Sequence, residues 1–526
     1  MNELPDSADV VFVGAGHNAL VAACYLLEAG REVCLLEKTP RAGGWVRTTE
    51  LGAPGFLHDQ WSALHPGFVG GPVWAQLAPQ LRRHGLEYVT APIATASSLP
   101  DGRSAMIPVD QDAFAAELDR LGETRGWQAL FAGTRLQSFI ALLSGGLDGP
   151  QARESVHELL TDGNDIAYPF TQLLSRSGFE LVREFFATEE LRSLAAPWAL
   201  HLGASPAAPC SALWTVFSLA ILIGGSPTPV GGSGRLAEAL AGLVAERGGR
   251  LVCEVDVDEI LVENGRAVAV RTHGGGLVRA DDVVVTSTPD RLYGRLLRNA
   301  DVGGGVRAQA ARYAYKRGCF QINLALSRRP RFLDPRLDAG GGIHLGRGID
   351  ELAVSVAQAE AGVLPAHPTI AWHEPTAVDP TRAPEGKAVA RLQVLDAPLD
   401  PRGDAAGTGF GARGWDRDTV EAFADRIVAQ AETHLPGLTG LILERHTTSP
   451  ADLARQSPNA GPGDHAAGDN SIGQAFVHRP IPAHSGGYRT AVGGVWMIGA
   501  ATWPGPGVSG ASGYALAKLL LGPDAG

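Results

Sequence analysis

Apolar and polar residues alternate in two rhythms near the start of the chain. Val10, Val11, Phe12 and Val13 form an unbroken apolar run, Gly14-Ala15-Gly16-His17-Asn18-Ala19 turns the chain, and Ala22, Ala23, Leu26 and Leu27 recur at helical spacing. The pattern predicts a strand, a glycine turn and a helix that Gly30 ends, followed by a second apolar strand from Glu32 to Glu37. Asp101 to about Glu189 reads as mostly helical, with Phe114, Leu118, Leu121, Leu181, Phe185 and Phe186 at core-like spacing. Ala212 to Ile223 is an apolar run stopped by Gly224-Gly225, too short to span a bilayer. Both a buried helix and a membrane-dipping or substrate-access segment fit it. Pro229-Val230-Gly231-Gly232-Ser233-Gly234 opens a helix through Leu236, Leu240 and Leu243. Alternating runs at Leu251 to Val257, Glu259 to Glu263 and Ala267 to Thr272 then predict strands, with Asn264-Gly265 as a hairpin turn. Asp282 to Pro289 predicts a closing strand, Gln321 to Leu326 and Ala388 to Val394 two more, and Thr419 to Leu435 an amphipathic helix. The chain ends on a strand at Val495 to Ile498, a loop from Gly499 to Gly510 and a helix from Ala511 to Leu521.

The first unit has the chemistry of a dinucleotide site. Gly14 permits the tight turn, Gly16 lets backbone approach a pyrophosphate, and the following helix N-terminus offers N–H groups and a positive dipole to phosphate oxygens. Ala19 stands at the third fingerprint position, where only close helix-to-strand packing is at stake. Glu37 lies about 20 residues past the turn, where a carboxylate can bind a ribose 2′-hydroxyl and would repel the 2′-phosphate of NADP.

Composition narrows the setting. A chain of 526 residues implies two or three domains with a large core. Its 44 basic and 56 acidic residues leave a formal charge of −12, which argues against a nucleic-acid partner and for a small or apolar ligand. Cys24, Cys34, Cys210, Cys253 and Cys319 are scattered and odd in number, the mark of buried thiols in a reduced, cytoplasmic protein. The acidic opening Met1-Asn2-Glu3-Leu4-Pro5-Asp6 lacks a cationic signal region. His344, His373, His465, His478 and His484 have no metal-ligand spacing; no metal is expected, and most read as loop or surface residues.

After Glu37-Lys38 comes Arg41-Ala42-Gly43-Gly44-Trp45, where paired glycines let backbone run close along a cofactor longer than NAD, pointing to FAD. Through the glycine turn, Glu37 and this arginine–glycine pair, the chain resembles the phytoene desaturase-like FAD-dependent oxidoreductases, in the wider group of amine oxidases and protoporphyrinogen oxidases. Asp379 to Lys387 and Tyr488-Arg489-Thr490 resemble segments of the same branch. The resemblance implies an α/β fold: a discontinuous Rossmann-like FAD domain (1–70, 225–300, 485–526) with an inserted α+β substrate domain (71–224, 301–484). It implies cofactor contacts from the Gly14–Ala19 turn with His17 and Asn18, from Glu37, Lys38, Arg41, Gly43, Gly44 and Trp45, and from Val255 to the adenine and Thr286. It places the Gly499–Gly510 loop under the flavin, with Gly499, Ala500, Thr502, Pro504, Gly507, Val508 and Ser509 as contacts. Ala500 departs from the acidic residue of many relatives, and Pro506 interrupts a run that is often three glycines.

The activity implied by the resemblance is desaturation of a lipophilic substrate, free or carrier-bound, such as a polyene, isoprenoid or acyl chain. Hydride would pass to flavin N5 and electrons onward to oxygen or a quinone, and peripheral contact with a membrane is compatible with such a substrate. No catalytic side chain is visible in the sequence, since the cofactor carries the hard chemistry. Oxidation of an amine or amino-acid-derived molecule is the alternative within enzymes, and a non-catalytic flavin scaffold the alternative outside them.

Overall fold

The structure is a computed structural model that describes residues 4–132, 167–410, 414–484 and 487–522. The helical reading across 133–166 and the opening Met1–Glu3 lie outside them.

Two seven-stranded sheets organise the molecule. In the first, five strands run parallel in the order Arg250–Cys253, Val33–Glu37, Ser7–Val13, Leu277–Val285 and Val495–Met497. Strands covered on both faces read as unbroken apolar runs rather than alternations. Accordingly Val10, Val11 and Phe12 are fully buried, and so are Val283, Val284 and Val285 beside them. Leu277–Val285 extends past its parallel neighbours to pair with Arg266–Thr272, which hairpins onto Val257–Glu263. Asn264 (φ 50°) and Gly265 (φ 76°) occupy the left-handed positions that a two-residue hairpin turn demands. The predicted Leu251–Val257 strand is two pieces. Glu254 takes φ 61° and peels the chain off the parallel edge, so that the Val255 N–H reaches the Glu37 carbonyl at 2.9 Å.

One face of this sheet is covered by His17–Glu28, Gly234–Glu246 and Ala511–Leu521. The N-terminal and C-terminal helices approach so closely that a Cβ on Gly513 would lie 2.0 Å from the Asn18 carbonyl oxygen. Only glycine lets them cross there, and that crossing sets the glycine turn at one end of the chain beside the glycine loop at the other.

The second sheet is ordered Ile442–Thr448, Gly318–Leu326, Ala388–Ala397, Ile370–His373, Gly340–Leu345, Ile93–Ser98 and Ser104–Pro108. Its last two strands come from the excursion before residue 225, and the other five from the one after residue 300. Ser104–Pro108 falls in a stretch that reads as helical, because its partner is Ile93–Ser98 across a turn that leaves no period in the sequence. Ser211–Leu222 is a helix with Ala212, Leu213, Trp214, Val216, Leu219 and Leu222 buried, so the apolar run is spent on the interior. Among the described residues no helix is long and apolar enough to cross a membrane.

A buried polar knot ties the two sheets together. Asp59 accepts from Thr48 Oγ1 at 2.6 Å and from the Ser233 N–H at 2.8 Å, and pairs with the fully buried Arg382 at 2.9 Å. Burial works against the charged carboxylate, but Arg382 and the hydrogen bonds from Thr48 and Ser233 outweigh it and hold Asp59 below its ordinary range. The Gly234 N–H donates to Thr48 Oγ1 at 2.9 Å. The glycine loop opening this helix therefore directs its N–H groups at protein acceptors.

Candidate cofactor site

Gly14 takes φ 97°, and a Cβ there would meet Thr286 Oγ1 at 2.2 Å. Thr286 anchors that approach by donating its N–H and hydroxyl to the Val13 carbonyl, each at 3.1 Å. Gly16 behaves differently. Its φ of −67° suits any residue, and nothing lies within 4 Å of the point a Cβ would occupy. The helix it opens has no side-chain cap and no acidic residue in its first turn, so the N–H groups of His17, Asn18 and Ala19 keep no helical acceptor. An uncapped helix N-terminus beside open space suits an anion.

The strand ends build the rest of this half. Glu37 accepts from the Ala15 N–H at 2.9 Å and from the N–H and hydroxyl of Thr39, each at 2.9 Å. The Gly43 N–H donates to the Ala15 carbonyl at 2.8 Å, and a Cβ on Gly44 would sit 3.3 Å from the Gly16 Cα. Paired glycines are thus needed for two backbone segments to touch. Lys38 points to Asp256 at 3.2 Å and Arg41 is exposed. The arginine that reaches inward is Arg47, which no sequence pattern marks. Its Nη2 donates to Thr39 Oγ1 at 3.1 Å, and its Nε is buried without a protein acceptor. Trp45 packs toward the helical core of the inserted region, and its carbonyl accepts from Ser62 at 3.1 Å.

The C-terminal loop meets this half of the site at His17. Gly499 takes φ 110° and Gly507 φ 124°, each with nothing within 4 Å of a Cβ position. Thr502 donates its N–H and hydroxyl to the Gly499 carbonyl at 3.0 and 2.9 Å, closing a tight turn that the Gly499 N–H ties to Ser512. Ala500 presents its carbonyl to Arg479, and Pro504 is half-buried behind the interior Trp503. Val508 packs on the helical side of the first core and Ser509 Oγ accepts from the Ala511 N–H at 3.2 Å. Apart from that bond, the helix beginning at Ala511 has no cap from its N-cap Gly510 and no acid in its first turn. His17 joins the two halves: its ring bonds the Gly507 backbone, and burial pulls it down to about 4, leaving it neutral at physiological pH.

Three glycines from opposite ends of the chain, Gly16, Gly499 and Gly507, therefore border open space where a side chain would intrude. The uncapped start of His17–Glu28 opens onto this space, with Glu37 at the neighbouring strand end, whereas the start of Ala511–Leu521 has its first N–H held by Ser509 and its Gly510 packed on Val21, Val73 and Phe68. The donor set fits FAD: amides for a pyrophosphate and a carboxylate for a ribose. Of the predicted contacts, Val255 has already given its N–H to Glu37 and keeps only its carbonyl for a ligand. Arg47, Arg479, Ser512 and Asn459, which holds the Thr286 carbonyl at 2.8 Å, carry no motif that could have found them in the sequence.

On the far side lies the second sheet. Gln393 donates to Gln321 at 2.7 Å, and Gln321 to the Gln60 carbonyl at 2.6 Å. His201 and His344 meet through their Nε2 atoms at 3.0 Å, and burial, reinforced for His201 by His344, keeps both below their ordinary range, His344 at about 4. His344 and His373 are buried strand residues rather than loop or surface ones, while His478 is exposed. Among the described residues no His, Cys, Asp and Glu cluster could hold a metal.

The family described as flavin containing amine oxidoreductase matches residues 20–367, more than half of the chain. The chain belongs to that family. It is an FAD-dependent oxidoreductase of the phytoene desaturase-like kind. It is 27% identical, over 98% of its length and 93% of the relative's, to the rat protein named pyridine nucleotide-disulfide oxidoreductase domain-containing protein 2. It is 26% identical to the zeta-carotene-forming phytoene desaturase of Myxococcus xanthus, covering 95% of this chain and 90% of that one. Among solved structures, an oxidoreductase from Methanosarcina mazei superposes with a TM-score of 0.61 over 96% of this chain and 98% of its own at 17% identity, a likeness of fold. In this flavin family the α/β architecture with a Rossmann-like FAD domain is as the sequence led one to expect.

Proposed function

We propose that this flavoenzyme removes hydrogen from a lipophilic, unsaturated chain of the polyene, isoprenoid or acyl kind. The observation that carries the reading is an apolar aromatic file leading away from the cofactor loop. Trp503 packs on Phe476 at 4.9 Å between ring centres, Phe476 on Trp214 at 5.7 Å, and Trp214 on Phe217 at 6.4 Å. The file runs into the apolar helix Ser211–Leu222 and is flanked by Leu202, Leu213 and Ala204. Such a wall suits a hydrocarbon, and none of its side chains is a carboxylate that could pair with an ammonium group. Nearby carboxylates are already committed, Asp59 to Arg382 and Asp464 to the N–H groups of Lys316 and Ala466. The full-length likeness to a phytoene desaturase supports the same substrate class.

When bound, FAD supplies the two-electron acceptor. The chain's own part is to hold the pyrophosphate on the amides of Gly16 to Ala19, the ribose on Glu37, and the pyrimidine end of the ring on the backbone of Val508 to Gly510. The aromatic file orients the chain to be oxidised and keeps water away from it, and oxygen or a quinone takes the electrons. Anaerobic mixing tests the reading. A phytoene-like polyene, a monoterpene or an unsaturated acyl chain is expected to bleach the flavin absorbance, and a quinone to restore it. Bleaching by an amine panel with no response to any hydrocarbon would overturn the substrate class.

A further inference from the structure

Arg479 follows the short turn Phe476–His478, and its side chain is entirely buried. Nε and Nη2 both donate to the Ala500 carbonyl, at 3.1 and 2.5 Å. Nη1 donates to the Asp469 carbonyl at 3.0 Å and to Asn470 Oδ1 at 3.3 Å, and Nη2 reaches the Ala466 carbonyl at 3.4 Å. Every one of these acceptors is neutral. Among the described residues no carboxylate stands within ion-pair distance of Arg479. The Asp469 carboxylate is turned to Lys316 at 2.9 Å and to Ser471.

A buried guanidinium without a counter-ion is costly to keep, and neutral carbonyls recover only part of its lost hydration. Its place in the fold gives that cost a use. Ala500 belongs to the Gly499–Gly510 loop, and Gly505 of the same loop turns its Cα face to the same spot: a Cβ there would lie 3.9 Å from Arg479 Nε and 3.6 Å from Asn470 Nδ2. The cation therefore sits directly behind the backbone that borders the cofactor space, in an interior where charges are weakly screened.

We propose that Arg479 sets the reduction potential of the bound flavin: its unpaired positive charge, clamped to the Ala500 carbonyl behind the loop, favours the anionic reduced cofactor over the neutral oxidised one. The inference rests on the flavin lying over the Gly499–Gly510 loop, as proposed above. Arg479 is a positioning and charge-supplying residue that touches no substrate.

Spectroelectrochemistry of the FAD-loaded protein tests it. Arg479→Met is expected to shift the oxidised-to-reduced ratio at a fixed potential at least tenfold toward oxidised, a potential lower by about 30 mV for a two-electron couple. Arg479→Lys, which keeps the charge, should stay within that margin. Asn470→Asp sets a carboxylate against Nη1 and should lower the potential in the same direction without removing Arg479, so the question is answered even if Arg479→Met does not fold. Tyr488→Phe removes a hydrogen bond from the same loop, to the Trp503 carbonyl at 3.1 Å, without changing charge, and should leave the potential alone. An unchanged potential in Asn470→Asp, or an equal shift in Tyr488→Phe, would overturn the proposal. Val508→Asp separates the placement of the flavin from the role of Arg479. If it lowers the potential while the Arg479 and Asn470 variants do not, the flavin placement stands and the role of Arg479 falls; if none of them responds, the placement itself falls.

Discussion

Replacing Gly16 by valine is expected to weaken FAD binding at least a hundredfold and to leave the apo-protein folded, with a stability loss of no more than about 1 kcal/mol. The position has ordinary backbone geometry and no neighbour within reach of a Cβ, so the valine costs the fold only the poorer capping of a β-branched residue at the helix N-cap, about 1 kcal/mol. The isopropyl group enters the space in front of the His17, Asn18 and Ala19 amides, where a pyrophosphate must sit. Losing two charge-assisted hydrogen bonds at about 1.5–3 kcal/mol each weakens binding from roughly a hundredfold to more than ten-thousandfold. Gly14→Val is the contrast. There the φ of 97° and the Thr286 hydroxyl at 2.2 Å make the substitution a folding defect first. Equilibrium unfolding of the two apo variants, with FAD titrated into whichever is folded, distinguishes these outcomes. Retention of FAD by Gly16→Val would remove the glycine turn from the site.

Asp59→Asn should destabilise the protein by about 3–5 kcal/mol, because it leaves Arg382 charged and fully buried with its partner gone. The same pair gives the wild type an acid limb. Since the folded carboxyl lies below its unfolded value of about 3.9, its contribution is present above that pH and is lost as pH falls through the folded value. Asp59→Asn should lack that limb. Adding Arg382→Met to Asp59→Asn should return much of the lost stability, since the double variant leaves no buried charge. Urea denaturation from neutral to acidic pH reads all three. A cost under about 1 kcal/mol for the single variant, the worth of an exposed pair, would mean the knot does not hold the two sheets together.

The parts of this molecule that were legible in the sequence are those whose cause is local. A Val10–Val13 run, a glycine turn and a helical rhythm specify their unit from neighbouring residues alone, and Asn264-Gly265 specifies a hairpin as a pair. The paired Gly43-Gly44 could be flagged as a backbone contact, though only the fold reveals that Gly16 is what they touch. The rest depends on residues distant in sequence. Gly513 matters because the first and last helices cross there, and Ser104–Pro108 is a strand because Ile93–Ser98 lies beside it. Arg47 and Arg479 are single arginines in irregular segments with no spacing to mark them. His344 and His373 read as loop or surface residues because they lack metal-ligand spacing, yet they are interior strand residues, neutral through burial. The break at Glu254 was equally invisible, since a positive φ at a glutamate leaves no trace in an alternating pattern.

Product analysis tests the central claim most directly. The FAD-loaded protein, supplied with an unsaturated terpenoid or polyene and a quinone acceptor, should yield by mass spectrometry a product lacking two hydrogens, one equivalent per quinone reduced. Hydrocarbons recovered unchanged, with an amine in the same mixture converted to its carbonyl compound, would contradict it.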